Sequence, residues 1–183
     1  MVMQQALTKE RSAARSDARL PTGTSWWDPP CLGWIKLNTD EAVGSGSSKA
    51  SCGGVIRDHN SVWILGFSKF IGMCSTLEAE LWGIYIDMSL AYDLGYRCLE
   101  VESDSLDAIN LVKGLSAKQN CPTLALYIHE SCNQSWEVRF SHIQREGNEV
   151  ADHLAKLAHM DNFDLVAFPQ PPRKFIFCWL MLV

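Results

Sequence analysis

The chain is short of positive charge. Sixteen Lys and Arg stand against 21 Asp and Glu, leaving a net charge of −5 over 183 residues. A generally adhesive nucleic-acid coat is thereby excluded, because phosphate binding rests on clustered cations, although a local basic patch stays open. Long apolar runs are scarce too. The closing run, Phe175 to Val183, falls far short of the ~20 residues that cross a bilayer. The amino terminus carries charges from Lys9 onward and lacks the apolar core of a secretory signal. No membrane partner and an intracellular location are expected. Arg11, Arg15 and Arg19 give a faint transit-peptide flavour that Glu10 and Asp17 offset. The seven cysteines (Cys31, Cys52, Cys74, Cys98, Cys121, Cys132, Cys178) include no CxxC pair and no histidine spacing suited to zinc. Their odd number and apolar settings read as free thiols in a reducing compartment.

What the sequence does have is core-forming material. An apolar content of 47% in a chain of this length supports one globular domain. Residues 1–30 show no sustained apolar period and read as a flexible tail. They close on Trp26-Trp27-Asp28-Pro29-Pro30, an extended lead-in whose tryptophans are expected to anchor by packing. The domain is placed at 31–160, followed by a tail at 161–183 that packs on the domain, binds a partner, or is a divergent end.

From Trp34 to Asp40 apolar and polar residues alternate, with Trp34, Lys36, Asn38 and Asp40 on one parity and Ile35, Leu37 and Thr39 on the other. That is the period of a strand, and its two-sided character places it in the middle of a sheet. A loop rich in glycine and serine follows (Gly44 to Ser48), so Asp40 sits at the strand's carboxyl end, as a surface terminus or as the first ligand of a site. Two further runs, 52–58 and 62–70, are split by the polar turn His59-Asn60-Ser61 and predict a hairpin.

A helix is predicted from Ser75 to about Tyr92, apolar on most sides. Ser75-Thr76-Leu77-Glu78 matches a capping box, which occupies Glu78 with the helix start. Glu80 has no such duty, and is either an ordinary solvated glutamate or one aimed at a neighbouring strand end. A strand at 98–103 ends at Asp104, before a helix from 105 to 113. Asp104 repeats the placement of Asp40, yet Asp is also a preferred cap and Asp107 completes a box-like pattern. Pro122 opens another helix to about Cys132, and 136–143 alternates as a last strand. A closing helix begins near Asn148 and runs through Ala158, with Asp152 in its first turn, where the positive end of the helix favours an anion. The order of elements predicts an α/β fold, a five-stranded mixed sheet flanked by helices, with the first strand paired to the hairpin and, in parallel, to the strand at 98–103.

Ligands in open α/β sheets gather beyond the carboxyl ends of strands, so Asp40 and Asp104 can meet there. Oxygen-only donors of this kind suit magnesium or manganese, and two such ions can clamp the attacking and leaving oxygens of a phosphodiester displacement.

Four segments, Lys36-Leu37-Asn38-Thr39-Asp40, Leu77-Glu78-Ala79-Glu80-Leu81, Glu102-Ser103-Asp104-Ser105 and Arg145 to Ala155, stand in register in this frame. Together they resemble the ribonuclease H type 1 family, in particular the domains found singly in plants and in retroelement polyproteins. The resemblance covers roughly residues 34–160. It implies a ribonuclease H-like fold, with Asp40, Glu80, Asp104 and Asp152 as catalytic, metal-binding carboxylates. It also implies two magnesium ions, with manganese a possible substitute, and hydrolysis of the RNA strand of an RNA/DNA hybrid by a monomer. One departure stands out: the family has glycine directly after the first aspartate, where this chain has Glu41, which adds bulk and negative charge against a nucleic-acid backbone. No clear counterpart exists for the histidine that assists product release in bacterial relatives. Arg145 occupies that loop and can meet a phosphate, while His142 reads as a strand residue. The alternative function is a catalytically weak module of the same fold that binds nucleic acid or protein.

Overall fold

The strand around which the sheet is built runs Ile35–Val43 (β1), buried along its first six residues. Burial on both faces explains why its sequence alternates between apolar residues and polar ones that find partners. In the computed structural model, which describes residues 27–44, 48–114 and 121–173, β1 lies in the interior of the sheet. The tail residues 1–26 and the apolar run 175–183 lie outside the described residues.

β1 pairs antiparallel with β2 (Lys49–Asp58), which pairs antiparallel with β3 (Trp63–Met73). On its other side it pairs in parallel with β4 (Cys98–Ser103), and β4 in parallel with β5 (Glu137–His142). The expected central strand, hairpin and parallel partner are thus all present. Among the described residues the sheet nevertheless has six strands where the sequence predicts five. The sixth, β6 (Val166–Phe168), adds to the outer edge of β3 from a stretch read as tail. Three residues are too few to show a period, and the pairing depends on an edge that exists only once the sheet has formed. Trp63 Nε1 donates to the Phe168 carbonyl at 2.9 Å and the rings of Phe70 and Phe163 lie 4.9 Å apart, which fastens this return.

Helices α1 (Thr76–Asp93), α2 (Leu106–Lys113) and α3 (Thr123–Cys132) share one face of the sheet. The main core lies between, where Ile35, Leu37, Ile56, Leu99 and Val101 meet Leu81, Ile84, Met88, Ala108 and Ile128. The other face is covered by α4 (Glu149–Ala155), which seats Val150 and Leu154 on Val55. This helix stops at Ala155, short of the expected Ala158. Two close approaches set the layers. A Cβ at Gly83 of α1 would overlap the Thr39 hydroxyl, and one at Gly53 of β2 would overlap the α4 backbone at Ala155. Both helices are thereby drawn tight against the end of β1.

The Trp27 lead-in also packs on the sheet. Trp27 is buried, its indole Nε1 donates to Asn38 Oδ1 at 2.9 Å, and the Arg57 guanidinium stacks 3.5 Å from its ring centroid. Beneath it Lys36 pairs with Glu102 at 2.8 Å and Asn38 donates to Glu102 Oε2 at 2.9 Å. Buried charge is tolerable only when partnered in this way.

Candidate metal centre

Strand parity decides what converges at the end of β1. Asp40 follows Lys36 and Asn38 to the α4 face, whereas Glu41 follows Ile35, Leu37 and Thr39 to the α1 face. Its neighbour across the ladder, Cys52, packs there with Phe67 and Ile86. Asp40 is 2% exposed. Its Oδ1 accepts from the Glu41 amide at 2.8 Å, while Oδ2 is buried with no hydrogen-bond partner among the described residues.

Glu80 reaches the same place from α1. Ser75 and Glu78 form the capping box, Glu78 Oε2 accepting from the Ser75 amide at 2.9 Å, so Glu78 is turned back to the helix start as expected. Glu80 has instead rotated inward to 3% exposure, where Ser103 Oγ donates to its Oε2 at 3.1 Å. Carboxylate oxygens of Asp40, Glu41 and Glu80 all lie within 4.8 Å of one another.

Such crowding disfavours ionisation. Burial raises the Asp40 pKa well above the usual carboxylate range, helped by contact with Glu41 and by the charges of Asp104 and Glu80. Glu80 is raised likewise, first by burial, then by the charges of Glu41 and Asp104. Three close acids need protons or a cation to persist. The donor set is oxygen-only, and one buried oxygen lacks any protein partner, so the residues fit a hard divalent cation.

Asp104 stands beside the cluster at the end of β4. Its role as a helix cap is ruled out, because Ser105 is the cap of α2 and accepts from the Ala108 amide at 3.3 Å. The Asp104 carboxylate instead accepts from Asn148 Nδ2 at 3.2 Å, and the same amide donates to the Thr39 carbonyl at 2.9 Å.

A family model described as reverse transcriptase-like matches residues 38–158, the stretch that runs from Asn38 within β1 to just past α4. The chain belongs to this family of ribonuclease H-like domains. A protein of Arabidopsis thaliana described as a ribonuclease H protein is 39% identical over 146 residues, 76% of this chain and 24% of that relative. The chain therefore spans about a quarter of the relative's length. Among solved structures, the N-terminal ribonuclease H domain of a Mycobacterium tuberculosis protein superposes with a TM-score of 0.63 at 21% identity, covering 70% of this chain and 94% of that one. The LC11 ribonuclease H1, solved in complex with an RNA/DNA hybrid, gives 0.60 at 25% identity, with 68% and 95% covered. The ribonuclease H1 of Halobacterium salinarum gives 0.58 at 22%, with 67% and 95% covered.

Of the four carboxylates the family resemblance implies, this ribonuclease H-like domain brings Asp40 and Glu80 into one cluster, with Asp104 close enough for its charge to act on both. Asp152 is placed apart, in the first turn of α4. Lys156 Nζ holds its Oδ2 at 2.6 Å, and it lines a groove with Arg145, Glu146, Glu149 and His153. His142 is exposed, its ring 3.1 Å from the Asp104 carbonyl. In the sequence Glu41 reads only as an obstacle and Asn148 only as a helix start. Carrying the strand parity one residue past Asp40 would have sent Glu41 toward α1. No local signal marks Asn148, whose partners come from β1 and from beyond β4.

Proposed function

We propose that this domain binds RNA/DNA hybrids and hydrolyses the RNA strand, with Asp40, Glu80, Asp104 and Asp152 holding a pair of divalent cations, magnesium or manganese. The observation that carries the reading is Asp40: a carboxylate 2% exposed, with an unpartnered oxygen, pressed against two other acids at a strand end. The solved complex of LC11 ribonuclease H1 with a hybrid supports the substrate class. When bound, the cations would activate water and neutralise charge on the attacking and leaving oxygens. The chain's own part is positional. Ser103 orients Glu80, the Glu41 amide orients Asp40, and Asn148 ties Asp104 to β1. Asp152 can join by leaving Lys156, because that pair is an i,i+4 contact with the lysine 57% exposed, and such pairs contribute only ~0.3–0.5 kcal/mol.

The second reading, a hybrid-binding module with little activity, draws on that Lys156 contact and on the added charge of Glu41. One assay separates the two. The full chain is given a labelled hybrid with magnesium and with chelator, beside Asp40→Asn. Magnesium-dependent cutting of the RNA strand, lost in Asp40→Asn, is the expected result. Binding without cutting replaces the hydrolase with the module, and absence of both rejects the nucleic-acid reading.

A further inference from the structure

The residue that departs from the family pattern sits inside the cluster. A glutamate serving only as a solvated surface charge would lean away from two buried acids. Glu41 is half-buried and leans toward them, its carboxylate within 4.8 Å of ligand oxygens on both Asp40 and Glu80. Two nearby atoms ask for a partner independently of that convergence. Asp40 Oδ2 is buried and unsatisfied, and so is Asn148 Oδ1 on a residue 1% exposed. Buried polar atoms are nearly always partnered, so the open oxygen of Asp40, inside the carboxylate cluster, marks a place where water or an ion belongs.

We propose that Glu41 is itself a cation ligand, so that Asp40, Glu41 and Glu80 form a three-carboxylate site selective for larger divalent ions, manganese over magnesium. The proposal rests on the reading above that this strand end holds a divalent cation. It deepens that reading by naming an extra ligand and its effect on ion choice. Magnesium demands near-ideal octahedral geometry, keeps several waters and is usually held by one or two carboxylates. A third carboxylate displaces water that magnesium gives up reluctantly, while a larger ion accepts the exchange at less cost. The glutamate that looks like an obstacle to phosphate therefore acts first on the metal. Its charge is neutralised there, which reduces the repulsion that an approaching backbone would meet.

The test is calorimetric titration of the chelator-stripped full chain with manganese and with magnesium. Glu41→Gln keeps the shape and removes the charge. Glu41→Asp keeps the charge and withdraws the carboxylate. Glu130→Gln removes an equal charge from an exposed site on α3. Both Glu41 variants should bind manganese at least tenfold more weakly, with a smaller loss for magnesium, while Glu130→Gln matches the parent. Parent-like manganese binding in Glu41→Gln overturns the proposal, as does an equal loss in Glu130→Gln, which would mean general surface charge. Should Glu41→Gln fail to fold, Glu41→Asp carries the same comparison. The outcomes also separate this inference from the hydrolase reading. A Glu41-independent metal site that still cuts hybrid overturns only the role of Glu41. A Glu41-dependent site that never cuts supports the ligand and removes the hydrolase. A parent that binds no cation overturns both.

Discussion

Asp104 shows how one backbone neighbour changes the task of a side chain. Sequence leaves it between cap and ligand, and Ser105 resolves the choice by taking the cap, one residue further on. Asp104→Asn should therefore leave α2 intact. Asn still accepts from Asn148, and only the charge is lost. The metal-free melting temperature should equal or exceed the parent's, since like-charge repulsion on Asp40 and Glu80 is relieved. Magnesium should stabilise the variant less, and cutting of a labelled hybrid should fall by orders of magnitude. A variant that cuts at the parent rate would withdraw Asp104 from the site. Asn148→Ala makes a second test at this scale. It strips a buried donor from the Thr39 carbonyl and from Asp104, at a cost of about 1–3 kcal/mol in denaturant unfolding. Cleavage should drop with it even at temperatures where the fold is intact.

The element that decides the site is α1, whose first two turns do separate work. Its capping box is remote from the cluster, so Ser75→Ala should cost about 1 kcal/mol of stability while hybrid cleavage at moderate temperature stays at the parent level. Loss of activity in that variant would mean that Glu78, not Glu80, serves the site. Gly83 behaves in the opposite way. A methyl there collides with the Thr39 hydroxyl, on the very strand that carries Asp40. Gly83→Ala should cost about 1–3 kcal/mol and push α1 outward, carrying Glu80 away from Asp40. Its signature is a magnesium-induced rise in melting temperature clearly smaller than the parent's, beyond the loss seen without metal.

For the whole molecule, buried acids set the pH dependence of stability. Asp87 of α1 is completely buried, neither of its oxygens has a hydrogen-bond partner among the described residues, and burial raises its pKa well above the usual range. Asp40 and Glu80 are raised as well. In the unfolded chain such groups release their protons near pH ~4. The folded state holds them longer, so it binds more protons over the interval above that pH. Stability of the metal-free protein should consequently be highest in mild acid and fall as pH rises toward and past neutrality. Magnesium should remove the part of this slope that belongs to Asp40 and Glu80. Asp87→Asn should remove the part that belongs to Asp87, with or without metal. Denaturant melts from pH 5 to 8 measure both, and a slope unchanged by Asp87→Asn would show that Asp87 ionises freely.

Sequence alone determined the strand that centres the sheet, because a seven-residue alternation from Trp34 to Asp40 is written in nearest neighbours. It also determined the capping box at Ser75 and Glu78, whose partners are three residues apart. These features are local, and local spacing is what a linear chain displays. Tertiary structure decided the rest. β6 exists because β3 offers an open edge, Glu41 joins Glu80 because a strand and a helix distant in sequence end at one point, and Asn148 matters through bonds to residues 109 and 44 positions away. Asp152 followed the family pattern in sequence, yet Lys156 one turn along the same helix holds its carboxylate. The physical reason is shared: each of these roles is defined by a partner brought near through folding, and the energy of that contact has no counterpart in the residues beside it.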